Sequence, residues 1–324
     1  MPAAMLDADE LTRFAAQLLA QEAEPGSLVP QGWCRHTPSS RVLMVTDREE
    51  RRWFVKQLER GYKWRRETSA YENWAPMLGD RMPRLVGGDR GRRLLLLAEL
   101  PGATPASRDP LAYRRAGEAL RSLHAVETGD HCWTQWCGHL AERVDRELHE
   151  LNRVGVRVEE RVLRRVVDAI GELAPQPLVA SHGDFLPRNW VVEGDRLAIM
   201  DFAEAGHHPA VVDVAKLHAT TMWGRTDLLE QLLAGYGRCL AAEEVRLLEL
   251  VRAVPALALL RRGVARDVPA VVERGRAVLA AVAADRPLRL TRAVWRRTAS
   301  GAVRRLVPSR VVPPEPDPLL PLDT

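Results

Sequence analysis

Asp184, Asn189 and Asp201 fall within one short stretch, SHGDFLPRNWVVEGDRLAIMDFAEAG, residues 181–206. The apolar runs in it read as short strands that have no need of carboxylates. Four residues separate Asp184 from Asn189 in a loop, and Asp201 closes the next strand across a turn at Gly194-Asp195. The three side chains can therefore converge at one end of a hairpin. Magnesium takes oxygen ligands in octahedral array and commonly binds one or two carboxylates together with substrate phosphates, so Asn189 and Asp201 are suitable types. Asp184 is then left to accept a hydroxyl proton. The alternative is that these polar residues only cap turns.

A second pair lies far upstream. In RRWFVKQL the period of two sets Phe54, Lys56 and Leu58 on one face and Trp53 and Val55 on the other. An ammonium on an apolar face needs a partner. Only Lys56, Lys63 and Lys216 are lysines in a chain whose other basic residues are all arginine. In YKWRRETSAYENWAPML, Trp64, Tyr71, Trp74 and Leu78 form a helical stripe that includes Glu67, while Glu72 lies off it. Glu67 is the natural partner for Lys56; the alternative is a boundary carboxylate that reaches water.

The elements that must hold these residues change character along the chain. DADELTRFAAQLLAQEAEPG is an amphipathic helix with Leu11, Phe14, Ala15, Leu18 and Leu19 on one face, a capping box at Asp7 and Glu10, and a stop at Pro25-Gly26. RVLMVTD and RRWFVKQL read as a hairpin, and RRLLLLAEL as a further strand ending at Pro101-Gly102. Helical stripes follow at Leu120, Leu123 and Val126, then from Trp133 to Leu148, then from Leu163 to Leu173. LVASHGD, NWVVEGD and RLAIMDF are short strands, and helices resume from Asp213 to about residue 284. Asp213 is expected to be an N-cap or loop brace, GYGRCL a helix end, and His124 a hydrogen-bonded structural residue.

Composition narrows the class. The chain has 324 residues, 46% apolar and 28% charged, with 47 basic against 43 acidic residues. That suits a folded two-part protein and argues against a nucleic-acid partner, because the charges are interspersed. Cys34, Cys132, Cys137 and Cys239 form no C-x-x-C pair and are expected as reduced, buried thiols; His207 and His208 lack metal-ligand spacing. No signal segment opens the sequence and no run of eighteen apolar residues occurs, so a cytoplasmic protein without a membrane span is expected. Three regions follow: 1–100, strand-rich with a starter helix; 101–285, helical; and 286–324, a basic helix with Leu288, Trp295, Val303 and Leu306, then a proline-rich tail. That helix is expected to pack on the helical region rather than on membrane or nucleic acid.

HGDFLPRN, followed by DFAEAGHHPAVVDVAKL, resembles the catalytic loop and metal-binding aspartate of the aminoglycoside phosphotransferase and choline kinase branch of the kinase superfamily. The likeness extends more faintly over about residues 25 to 285. It implies an α+β, two-lobed, protein-kinase-like fold, with a small β-rich N-lobe and a larger, mainly helical C-lobe. It implies an ATP-dependent phosphotransferase, with Lys56 and Glu67 on the nucleotide phosphates, Asn189 and Asp201 on Mg2+, and Asp184 as base. Arg188 would either offset charge on the γ-phosphate or pair with a carboxylate. In LLLLAELPG, Glu99 and Leu100 would supply backbone contacts to adenine, unless they only end a strand. The glycine-rich loop departs from the family, since GSLVPQGWCRHTPSSR holds only Gly26 and Gly32. Thr37, Ser39 and Ser40 could serve phosphate in its place, or be turn residues.

The acceptor implied is a small molecule with a free hydroxyl, an antibiotic or secondary metabolite. A housekeeping kinase for an amino alcohol, sugar or amino acid shares the same residues, and a nucleotide-binding pseudokinase is the non-enzymatic alternative. Acids at Glu142, Asp145, Glu147, Glu150, Glu159 and Glu160 are nearly balanced by arginines, and Glu204 could meet a substrate ammonium.

Overall fold

The computed structural model describes residues 5–20, 28–37, 39–126, 129 and 131–288. Pro25, Gly26 and most of the expected basic helix and proline-rich tail, including Trp295, Val303 and Leu306, lie outside the described residues. The elements in chain order are α1 (Ala8–Leu19), β1 (Val29–Thr37), β2 (Ser40–Thr46), β3 (Arg52–Leu58), α2 (Gly61–Leu78), β4 (Leu85–Asp89) and β5 (Leu94–Ala98). They continue with α3 (Pro110–His124), α4 (Trp133–Arg153), α5 (Glu160–Gly171), β6 (Leu178–Ser181), β7 (Trp190–Glu193), β8 (Arg196–Ile199) and β9 (Gly206–Pro209). The last are α6 (Val211–Ala219), α7 (Thr226–Tyr236), α8 (Ala242–Val251), α9 (Ala253–Ala265) and α10 (Pro269–Ala283).

Two compact units form. The first takes residues up to 105 with 182–184 and 188–206, so the β7–β8 hairpin groups with the early sheet. That sheet is antiparallel with order β1-β2-β3-β5-β4. One face carries Leu43, Val45, Trp53, Val55, Leu94 and Leu96, which close a core with Leu11, Phe14, Ala15 and Leu19 of α1. Each leucine, valine and phenylalanine among them contributes about 1.5–3 kcal/mol by leaving water. The capping box at Asp7 and Glu10 forms as expected. Gln57 accepts from the Leu6 N–H and Arg41 donates to the Leu6 carbonyl, which fixes the entry of α1 onto the sheet. β7 and β8 pair from Trp190↔Ile199 to Glu193↔Arg196, with the turn at Gly194-Asp195.

The second unit holds α3 to α10 with β6, which pairs with β9. α3 crosses α7 at Gly117 and Gly235, where a Cβ would strike the Leu232 and Arg114 carbonyls respectively. Ala219, Ala256, Leu259, Val271 and Val278 form a core among α6, α9 and α10. Gly237, with φ +82°, ends α7, so GYGRCL is a helix end. Among the described residues no helix is long and apolar enough to cross a membrane.

Asp213 is the third residue of α6 and buried, not its N-cap, because α6 begins at Val211. None of the four cysteines is buried: Cys34 and Cys132 are exposed and Cys137 and Cys239 partly so, and all are free thiols. Cys34 sits on an edge strand and Cys132 at the start of α4, positions that no core reaches.

Candidate active site

The site residues of the first unit are built on β3, α2 and the β7–β8 hairpin. Trp53 and Val55 face the α1 core, so alternation turns Lys56 to the opposite face, where it is 4% exposed. The stripe on α2 buries Glu67, Tyr71, Trp74 and Leu78 as its spacing predicts. Lys56 Nζ lies 2.8 Å from each Glu67 carboxylate oxygen and 2.7 Å from Asp201 Oδ1. Tyr71 donates its hydroxyl to Glu67 at 3.3 Å. The alternative of a solvated Glu67 is excluded by its complete burial.

Lys56 and Asp201 hold each other ionised. Burial would push the Lys56 ammonium down, but the Asp201 and Glu67 carboxylates outweigh it and hold it above its ordinary value. Burial pushes Glu67 up against the attraction of Lys56, and the charge of Asp201 adds to the rise. For Asp201, burial is overcome by the charges of Lys56 and Arg35 and by the Lys56 hydrogen bond, so its carboxyl lies far below the usual range.

Asp201 does not close β8, which ends at Ile199; it stands two residues beyond, with φ +67°. A non-glycine residue held there costs about 1–3 kcal/mol, which its surroundings must offset. The neighbouring Phe202 is fully buried, with ring centroids 4.8 Å from His182, 5.6 Å from Tyr71 and 6.1 Å from Trp74.

The loop before β7 carries the second group. Asp184 Oδ2 accepts from Arg188 at 2.7 Å and from Asn189 Nδ2 at 3.1 Å, and Asn189 Nδ2 also donates to the Asp184 carbonyl at 2.8 Å. Arg188 thus pairs with the Asp184 carboxylate. Asn189 is buried with its amide nitrogen on Asp184, so its oxygen is the atom turned away. His182 Nδ1 accepts from the Asp184 N–H at 3.1 Å and its Nε2 meets the Met200 carbonyl at 3.0 Å, which assigns the proton to Nε2. The Met200 N–H in turn donates to the Asn189 carbonyl at 2.9 Å. The backbone of Met200 thus ties the Asp184–Asn189 loop to Asp201.

Gly183 makes the loop possible. Its φ is +73°, and a Cβ there would lie inside contact distance of the Glu204 carbonyl oxygen. The Glu204 carboxylate pairs with Lys63 at 2.6 Å.

Glu99 and Leu100 follow directly on β5; the Glu99 carboxylate pairs with Arg52 at 3.0 Å, and its N–H donates to the Arg52 carbonyl at 3.2 Å. The Thr37 hydroxyl donates to the Ser40 carbonyl and accepts from the Ser40 N–H, so it braces the turn. Arg35, which no sequence pattern marked, places NH1 2.9 Å from Asp201 Oδ2. A β-bulge, invisible to a period of two, brings it there.

Asn189 and Asp201 suit a magnesium ion by donor type: an amide oxygen and an ionised carboxylate, with room in the ligand set for phosphate oxygens. Among the described residues no group of three or more His, Cys, Asp or Glu could hold a metal by itself. In the second unit His124 bridges Tyr236, at 2.9 Å, and Asp213, at 3.3 Å, as a structural histidine. A cavity of about 480 Å³ opens beside it, lined by Arg121, Tyr236 and Arg238 among others, and by none of the expected site residues.

Comparisons with known proteins bear on the family and the fold. The sequence profile of the phosphotransferase enzyme family APH matches residues 36–250. Among curated proteins none matches the chain. Macrolide 2'-phosphotransferase MphH from Brachybacterium faecium has the same fold, with TM-score 0.52 and 18% identity over 83% of this chain and 98% of that one. So has a choline/ethanolamine kinase family protein from Mesorhizobium loti, with TM-score 0.57 and 21% identity over 85% and 99%. APH(2")-IIa, solved as a ternary complex with streptomycin and ATP, superposes with TM-score 0.58 and 15% identity over 85% and 96%. With two thirds of its length matched by the profile and the kinase-like fold in place, the chain belongs to the APH phosphotransferase enzyme family and is a small-molecule kinase.

Proposed function

We propose that this chain transfers the γ-phosphoryl group of ATP to a hydroxyl of a small molecule. The observation that carries the proposal is the Lys56 ammonium held between Glu67 and Asp201. Lys56 would hold nucleotide phosphates, with Glu67 fixing its position, and the Glu99 carbonyl and Leu100 N–H would meet the adenine edge. Asn189 and Asp201 would hold Mg2+, which when bound supplies neutralisation of phosphate charge. Asp184 would orient the acceptor hydroxyl and take its proton as the new O–P bond forms and ADP leaves. Arg188 would keep the Asp184 carboxylate in place.

For the acceptor we favour an antibiotic or secondary metabolite, a reading supported by the likeness to the macrolide 2'-phosphotransferase MphH and to the streptomycin-bound APH(2")-IIa. Glu147 is engaged by Arg261 at 2.9 Å and Glu204 by Lys63, so two acids that a polycation would seek are already paired. This favours an acceptor with little positive charge. An amino-alcohol kinase is the second reading, supported by the choline/ethanolamine kinase likeness. We place the protein in the cytoplasm, a reading supported by its four free thiols. Incubation with ATP, Mg2+ and a panel of a macrolide, an aminoglycoside, choline and ethanolamine tests the proposal. A phosphorylated product from any of them supports it, and the product identifies the acceptor class. ATP binding with no product from the panel or from a metabolite extract would overturn it in favour of a pseudokinase.

A further inference from the structure

We propose that Arg35 binds the phosphates of the nucleotide and so replaces the glycine-rich loop that this chain lacks. The inference rests on the phosphotransferase reading above.

The register of β1 on β2 carries it. Trp33 stands opposite Leu43, but Arg35 stands opposite Val42, with a shift between the two that leaves Cys34 as the extra residue. Uninterrupted alternation would have set Arg35 opposite Arg41, on the face where Arg41 bonds Leu6 beside α1. The bulge turns Arg35 to the other face, in line with Val42 and Lys56 across three strands. Bulges re-aim side chains in this way. Two strand spacings, about 10 Å, then separate the stems of Arg35 and Lys56, and the two cations converge on one carboxylate.

Each cation takes its own oxygen of Asp201: Lys56 on Oδ1 at 2.7 Å and Arg35 on Oδ2 at 2.9 Å. They differ in access. The Lys56 side chain is 5% exposed and the Arg35 side chain 37%, so the guanidinium is the one that an incoming anion can reach. Its planar fork carries five N–H donors, of which one serves Asp201. Phosphate oxygens match that fork. Arg35 also occupies the oxygen that a divalent ion would take. A triphosphate arriving with its ion offers both partners an exchange, the ion to Asp201 and the phosphate to Arg35, with no charge left unpaired. The Thr37 hydroxyl, one of the donors that could serve phosphate, is spent on its own turn.

The test measures the affinity of ADP and of adenosine, with and without Mg2+, for the wild type, Arg35→Ala, Arg35→Lys and Lys56→Ala by titration calorimetry. Loss of one charge-assisted contact should weaken ADP about 10- to 100-fold in Arg35→Ala while adenosine stays within about twofold, with Arg35→Lys between. If Lys56→Ala weakens ADP but Arg35→Ala does not, the Arg35 proposal alone falls. It also falls if Arg35→Ala weakens ADP and adenosine equally, which would mark a structural role. If the wild type binds neither compound, the phosphotransferase reading falls and this proposal with it.

Discussion

Glu67 gains its role from what a buried carboxylate cannot do without. It is fully buried on α2, and among the described residues Lys56 and Tyr71 bond its carboxylate and offset its loss of water. Glu67→Ala leaves Lys56 with Asp201 alone and should cost about 3 kcal/mol, measured by urea denaturation. Unchanged stability would mean that the pair is dispensable. Arg188 bears on a different quantity. Because it holds Asp184 Oδ2, Arg188→Ala should lower turnover about tenfold or more while ATP affinity stays nearly constant. A change confined to ATP affinity would instead place Arg188 on the phosphates. Lys56 and Glu67 were legible in the sequence because each breaks an apolar pattern of known period. Arg35 was not, since a bulge resets the alternation without leaving a mark in residue type.

At the scale of elements, the helices were legible and three strands, β1, β4 and β9, were not. α4 shows its apolar face at Trp133, Trp136, Leu140, Val144 and Leu148, all buried. β1 and β4, VPQGWCRHT and LVGGD, are edge strands rich in Gly and polar residues, with little burial to impose a period. The β7–β8 hairpin and its turn were legible, yet the left-handed backbone at Asp201 was not, because nothing in a residue type fixes φ. Gly183 is the sharpest test of the hairpin's connection to the loop. Gly183→Ala must adopt φ +73° and push the Glu204 carbonyl aside. It should lose at least about 2 kcal/mol of stability together with turnover. An alanine variant of wild-type stability and activity would show that this close approach is not needed.

At the scale of the molecule, the pH dependence of folding has an identifiable source in the second unit. His218 of α6 is pushed down to about 3 by burial and by the charge of Arg252, and its Nδ1 makes no hydrogen bond. Trp223 packs edge-on against its ring at 5.8 Å. The folded value lies below the unfolded one, so the stability concerned is fully present above the unfolded pKa and is lost as pH falls toward the folded pKa. Between about pH 7.5 and about pH 5 this amounts to no more than about 2 kcal/mol. Urea midpoints across that range should fall for the wild type and fall less for His218→Gln; parallel curves would remove His218 as the source.

The proposed reaction is the transfer of phosphate to a hydroxyl with Asp184 as base. The most direct measurement supplies ATP labelled with oxygen-18 in the γ-phosphate, together with Mg2+ and the acceptor panel, and follows the label by mass spectrometry. Labelled phosphate is expected on an acceptor oxygen with the wild type, and a reaction at least about 100-fold slower with Asp184→Asn, which still binds ATP. Transfer by Asp184→Asn at the wild-type rate would contradict Asp184 as the base.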